Sequence, residues 1–288
     1  MMGIFCPKPE ETESKQTVQW QEGKQEGKKE MTREEIMRIA LEQSAIDANC
    51  RPEDFTRGQN RTVISKANEK ARKYLELPSY CMLISYGDNI VASVDPAVSD
   101  EVEKYLGRFQ IGHCFGTPNL YLLNDLFARD DRQICFMAEY FLPDSERLRA
   151  MPCDYEIRIL FPEDLESLYL PQWSNALSSQ RRELDVLAAG AWHEGKLMGL
   201  AGGSADCDTM WQIGVDVLPA YRRQGIAAAL TSRLALEILE RGKVPFYCAA
   251  WANLKSVRNA IRCGFEPAWV AVDARPAAFI KKINGEAL

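Results

Sequence analysis

The chain has 288 residues, 46% hydrophobic and 26% charged, with a formal net charge of -6, the makeup of a soluble globular protein of about two domains. No window nears the roughly 18 apolar residues of a membrane span, the start MMGIFCPKPEETESK has no apolar signal-peptide core, and the acidic balance speaks against a nucleic-acid binder. Nine scattered cysteines without a CxxC, and only His113 and His193, offer no clustered zinc ligands, so reduced thiols, no metal and a cytoplasmic setting are expected.

Residues 1–30 are rich in Gln, Glu, Lys and Gly and read as a disordered tail. At MTREEIMRIALEQSAI, Thr32 and Glu35 have capping-box spacing, and Ile36, Ile39, Ala40 and Ile46 form a helical stripe. A second helix is expected near SKANEKARKYLEL, ending at Leu77 before Pro78. SYCMLISYGDNIVASVD reads as two strands around a Gly-Asp-Asn turn. Helical stretches follow near SDEVEKYLGRF and PNLYLLNDLFAR, then the strand-like QICFMAEYFL. Residues 31–150 thus read as a smaller α/β domain without a chemical motif. It could cover an acceptor site, mediate dimerisation or be a degenerate copy of the second half.

LPDSERLRAMPCDYE, polar and with two prolines, marks the boundary. Residues 151–288 open with the strand YEIRIL, followed by helical segments from PEDLESLYL to SSQRRELDVL. AAGAWHEGKLMGLAGG is a hairpin turning at Glu194-Gly195-Lys196. TMWQIGVDVLP is a strand stopped by Pro219. A helix over 224–241, the strand KVPFYCAAW, a helix from Asn253 to Cys263 and the strand PAWVAV complete the order. GLAGGS lies in a strand with no helix after it, so its glycines read as sheet packing.

The helix after LPAYRRQG has no Ser, Thr, Asp or Asn at its start, and two arginines crowd its positive end, against the usual capping rule. Free N–H groups, a glycine that permits close approach and flanking cations form an anion site, with a diphosphate as its natural occupant. RxxGxA alone would not outweigh a solvated basic turn. Its place after a proline-stopped strand and before a long amphipathic helix raises its weight.

In this setting, VDVLPAYRRQGIAAAL resembles the acyl-CoA-binding motif of the GNAT superfamily of N-acetyltransferases: V-x-P at Val217-Leu218-Pro219, then R/Q-x-x-G-x-G/A at 222–227. WANLKSVRNAIRCGF is similar to the family's second motif at Asn253, Ser256, Gly264 and Phe265, and the strand order over about 153–275 is the family's. The resemblance implies a mixed α/β fold: a mostly antiparallel sheet flanked by helices. It implies acetyl-CoA as co-substrate, with its pyrophosphate on the amides of Gln224, Gly225, Ile226 and Ala227 and its pantetheine beside Val215 and Val217. Asn253 and Ser256 would contact the pantetheine or the leaving thiol, and Arg222, Arg223, Lys255 or Arg258 the 3′-phosphate. The acceptor would be a small-molecule or peptide amine, with nucleic acid and membrane excluded and a homodimer compatible.

The family's usual acid–base groups are not matched. Gln212 stands where a carboxylate base is sought, and Ala260 falls at the position of the acid tyrosine. Asp216 and His113 are the candidates for proton transfer. Asp206 and Asp208 read as turn residues, Tyr247 and Trp251 as packing groups that could line the acceptor pocket, and Tyr221 and Cys263 as packing groups. The competing reading is a non-catalytic acyl-CoA-binding module.

Overall fold

The structure is a computed structural model that describes residues 31–285; the expected tail over 1–30 lies outside the described residues. The N-terminal helix α1 (Arg33–Ala48) begins with the expected capping box: Thr32 Oγ1 accepts from the Glu35 N–H and Glu35 Oε2 from the Thr32 N–H. Strands β1 (Arg61–Ile64), β2 (Cys81–Ser85) and β3 (Val91–Val94) follow, then α2 (Ser99–Arg108), the single turn α3 (Ile111–Cys114), α4 (Thr117–Phe127) and the long strand β4 (Arg132–Pro143). Beyond it come β5 (Glu156–Leu160), the short α5 (Pro162–Leu165), β6 (Asp185–His193), β7 (Lys196–Ser204), β8 (Met210–Val217), α6 (Ile226–Glu240), β9 (Val244–Ala250), α7 (Leu254–Arg262), β10 (Phe265–Pro276) and α8 (Ala277–Ile283).

All ten strands form one sheet in the order β1-β3-β2-β10-β4-β9-β8-β7-β6-β5. Among the described residues only β1–β3 and β8–β9 pair in parallel. The last strand, β10, lies between β2 and β4, antiparallel to both, so strands from both sides of residue 150 share the sheet. Met31–Leu288 is one compact unit. On one face α6 buries Leu230, Leu234 and Ile238 completely against β6–β9, about 1.5–3 kcal/mol per side chain. On the other, α1 packs Ile36 and Ala40 against a cluster that includes Met82, Met210, Phe246 and Trp269.

Two expected helices do not form. Residues 65–77 are a chain of turns because tertiary partners claim their polar groups. Arg72 is buried against Asp47, Lys70 O accepts from Gln43 Nε2, and the Lys73 N–H bonds Asp206 O. The stretch after β5 holds only α5 and isolated 3-10 turns at Glu166–Leu168, Pro171–Trp173 and Arg182–Leu184. Its loop is pressed onto the sheet at glycines. Gly202 of β7 pairs with Gly214 of β8, and a Cβ at either would stand 1.8 Å from the carbonyl oxygen of Ala176 or Asn175.

Among the described residues, no helix is long and apolar enough to cross a membrane.

Candidate functional site

The site begins where two strands part. β8 and β9 pair over four positions, from Met210↔Val244 to Ile213↔Tyr247. Beyond them β8 stays with β7 as far as Val217, while β9 turns to β4 over Tyr247–Ala250. The result is a fork that closes at Ile213 and Tyr247 and opens toward Val217. The Leu218 N–H bonds Met198 O. The alternation of an antiparallel ladder therefore turns the amides of Val215 and Val217 to the other edge of β8, into the fork. Val217 O lies on that edge and accepts from Arg222 Nε at 3.0 Å.

At the open end stands the start of α6. Its first intrahelical bond runs from the Ala229 N–H to Gly225 O, and no side chain caps it. The amides of Ile226, Ala227 and Ala228 therefore lead the helix without an intrahelical partner. The chain enters through two left-handed residues, Arg223 (φ 66°) and Gly225 (φ 83°). Arg223 pays about 1–2 kcal/mol for a conformation in which its Cβ is crowded, while glycine takes it freely. Gln224 does not face this opening with a free side chain, because its Oε1 accepts from Tyr155 OH.

A cleft of about 250 Å³ covers this helix start, lined by Val217, Gly225 and Ala227 and by the cations Arg222, Arg223, Lys255, Arg258 and Arg262. Among the described residues no carboxylate lines it, in a chain whose formal charge is -6. Lys255, Arg258 and Arg262 share one face of α7 through their spacing of three and four. α7 is held to α6 by Asn259 Nδ2 donating to Thr231 Oγ1 at 3.0 Å and by Cys263 Sγ on Ala228 O. Five cations at an uncapped, positive helix end repel one another until an anion arrives. Sequence reasoning missed Arg262 and Asn259, although the i, i+3, i+7 pattern from Lys255 pointed to Arg262.

Asn253 caps α7 through Oδ1, which accepts from the Ser256 N–H at 3.3 Å. Ser256 Oγ shares a proton with Tyr247 OH at 2.7 Å, which sets a hydroxyl pair beside the closed end of the fork. Burial pushes the Tyr247 phenol above its usual pKa, so it holds its proton. Ala260 is fully buried in the core under α7.

Neither residue expected to move a proton stands free in the fork. The carboxylate of Asp216 accepts from Asn175 N (2.8 Å), Asn175 Nδ2 (2.6 Å) and Ala176 N (3.0 Å); it anchors the loop over β7 and β8. His113 is exposed on α3, because Cys114 takes the buried side of that turn. It lines neither the cationic cleft nor the cavity at Gln212. Gln212 donates Nε2 to Cys248 Sγ at 2.9 Å, and burial pushes the Cys248 thiol up to about 11, so it is a neutral thiol. Asp206, expected as a turn residue, is fully buried and bonds Arg181 Nη1 at 2.9 Å; burial raises its pKa to about 6.

The family model described as GNAT acetyltransferase matches residues 137–268. Among solved structures, a GNAT-family acetyltransferase from Novosphingobium aromaticivorans is 18% identical, with 50% of this chain and 66% of that chain covered and a TM-score of 0.40. A GCN5-related N-acetyltransferase-like protein from Streptococcus suis is 22% identical, with 57% and 74% covered and a TM-score of 0.40. An aminoglycoside N-acetyltransferase in complex with CoA is 20% identical, with 42% and 93% covered and a TM-score of 0.33. The chain thus spans just under two thirds of the first of these structures. The search of curated proteins finds no match.

Proposed function

We propose, from the match of residues 137–268 to the GNAT acetyltransferase family model, that this protein transfers an acetyl group from acetyl-CoA to an amine by direct attack within a ternary complex. One observation carries the reading: a helix start without a cap, ringed by five cations, sits at the open end of a strand fork. The diphosphate of CoA caps α6 on the amides of Gly225, Ile226, Ala227 and Ala228. The cations of α7 take the 3′-phosphate. From Val217 to Ile213, where the fork closes, the strand runs about 13 Å at about 3.3 Å per residue. The pantetheine arm lies along this length as an added strand, on the amides of Val215 and Val217.

The thioester carbonyl then reaches the fork, where a strand amide holds its oxygen as charge develops. The amine nitrogen bonds the carbonyl carbon, the C–S bond breaks and the nitrogen sheds a proton. The Tyr247–Ser256 hydroxyl pair returns a proton to the thiolate. With Asp216 committed to the loop, no carboxylate base is assigned, and positioning supplies much of the rate.

The test measures binding and turnover separately: calorimetric titration of the full chain with acetyl-CoA, and CoA release over a panel of amines and peptides. Saturable binding together with release that depends on an acceptor is the expected result. Binding without transfer to any acceptor would instead favour the non-catalytic module, which the buried Ala260 and the occupied Asp216 motivate. Stabilisation by ATP but not by CoA would sink both.

A further inference from the structure

On the sheet face opposite α6 a cavity of about 500 Å³ ends at the fork, where Gln212, Cys248 and Arg181 line it. Its floor is made by three small residues on adjacent strands. Ala250 of β9 pairs with Ala138 of β4, and Ala138 pairs with Ala271 of β10. One step along the same face, Tyr140 and Trp269 stack with ring centroids 4.6 Å apart and fill the equivalent space. The alanines thus leave a flat slot between apolar walls that include Tyr74, Met82 and Phe136.

The polar groups are unevenly placed. Among the described residues Asp273 is the one carboxylate lining this cavity, and both its oxygens are taken: Oδ1 by the Phe136 N–H and Oδ2 by Arg275 Nε. At the fork end there is a cation instead. Arg181 is held in place by the buried Asp206 through Nη1, and a guanidinium carries five N–H donors, so one bond leaves a fork of donors for a ligand. A polyamine would find no free anion beside the reacting end. An amine with a carboxylate on the neighbouring atom would find its partner there.

Resting on the acyl-transfer reading above, we infer that the acceptor is a free α-amino acid with a large flat apolar or aromatic side chain. Its carboxylate pairs with Arg181, its amine lies at Gln212 and Cys248 facing the thioester, and its side chain lies on the alanine floor. The ammonium gives its proton to solvent before it attacks, since the fork has no carboxylate base. The neutral nitrogen bonds the thioester carbon, the thiolate leaves and takes up a proton, and the N-acetyl amino acid loses its extra N–H proton to solvent.

The experiment uses the full chain with acetyl-CoA and follows CoA release from matched acceptors: L-phenylalanine against phenethylamine, L-tryptophan against tryptamine, with phenylalanine amide and putrescine beside them. Loss of one charge-assisted pair is worth about 10–100-fold, so the amino acids should exceed their decarboxylated partners by at least 10-fold in kcat/KM. Arg181→Gln should collapse that ratio toward one. Ala138→Leu, which fills the slot and leaves Arg181 in place, should lower kcat/KM for both aromatic amino acids more than 10-fold while CoA affinity holds. Equal or better use of phenethylamine, phenylalanine amide or putrescine overturns the inference, as does an unchanged ratio in Arg181→Gln or no turnover of any acceptor by a chain that binds CoA. A chain that does not bind CoA refutes the acyl-transfer reading itself.

Discussion

Two helices of this protein begin in opposite ways. α1 closes its own start: Thr32 and Glu35 exchange hydrogen bonds, and Glu34 adds negative charge to the first turn. α6 has no acid in its first turn, no side-chain cap, and arginines in front of it. The same contrast runs through the molecule. Around α1 a buried charge finds its partner within the chain, as Arg72 does in Asp47. Around α6 five cations line a cleft in which no described residue supplies a carboxylate. A region that satisfies its own polar groups serves stability; a region that leaves them open offers its groups to a ligand.

If that contrast holds, substitutions near α1 should change stability and leave CoA affinity, while substitutions at α6 should do the reverse. The largest effect is expected for Asp47→Ala, which strands the buried Arg72. Breaking one side of a buried pair costs about 3–5 kcal/mol, read by urea denaturation, with the CoA dissociation constant of the folded protein unchanged. Next comes Gly225→Asp, which places a carboxylate at the diphosphate. CoA should bind at least ~100-fold more weakly, about 2.7 kcal/mol, while stability falls only by the cost of a non-glycine residue at φ 83°, about 1 kcal/mol. Unchanged CoA affinity in this variant would break the comparison.

The pH dependence of stability sharpens it further. Burial raises Asp185 and Asp206 to about 6, above the usual carboxylate range near 3.9. A raised folded-state pKa means that the folded state holds more protons between these values. The stabilising contribution is then complete below about pH 4 and lost as pH rises through about 6. For the fully buried Asp206 this is on the order of 2–3 kcal/mol. Denaturation curves from pH 4 to 7 should fall with this sign, and Asp185→Asn should reduce the slope. The smallest effect is Thr32→Ala, about 1 kcal/mol of lost capping, with acetyl-CoA titration unaltered.

What the sequence disclosed and what it hid follows the same division. The cap of α1, the proline that ends β8 and the open start of α6 are local, so Thr32, Pro219 and Gly225 could be read directly. The turns over 65–77 could not, because Asp47, Gln43 and Asp206 decide them from a distance. β1 escaped notice as a four-residue edge strand. Asp216 reads in the sequence as a candidate for proton transfer on a strand, and its three donors come from a loop some forty residues away. The floor of Ala138, Ala250 and Ala271 exists only once three strands distant in sequence lie side by side.

A diphosphate cap on α6 is the central requirement of CoA binding here. The direct measurement is the amide resonances of Gly225, Ile226, Ala227 and Ala228 during titration of the full chain with CoA, and separately with pantetheine, which lacks the phosphates. With CoA, these four amides should move furthest and saturate together; with pantetheine, they should stay near their starting positions while Val215 and Val217 respond. CoA binding that leaves the four amides unmoved would contradict the account.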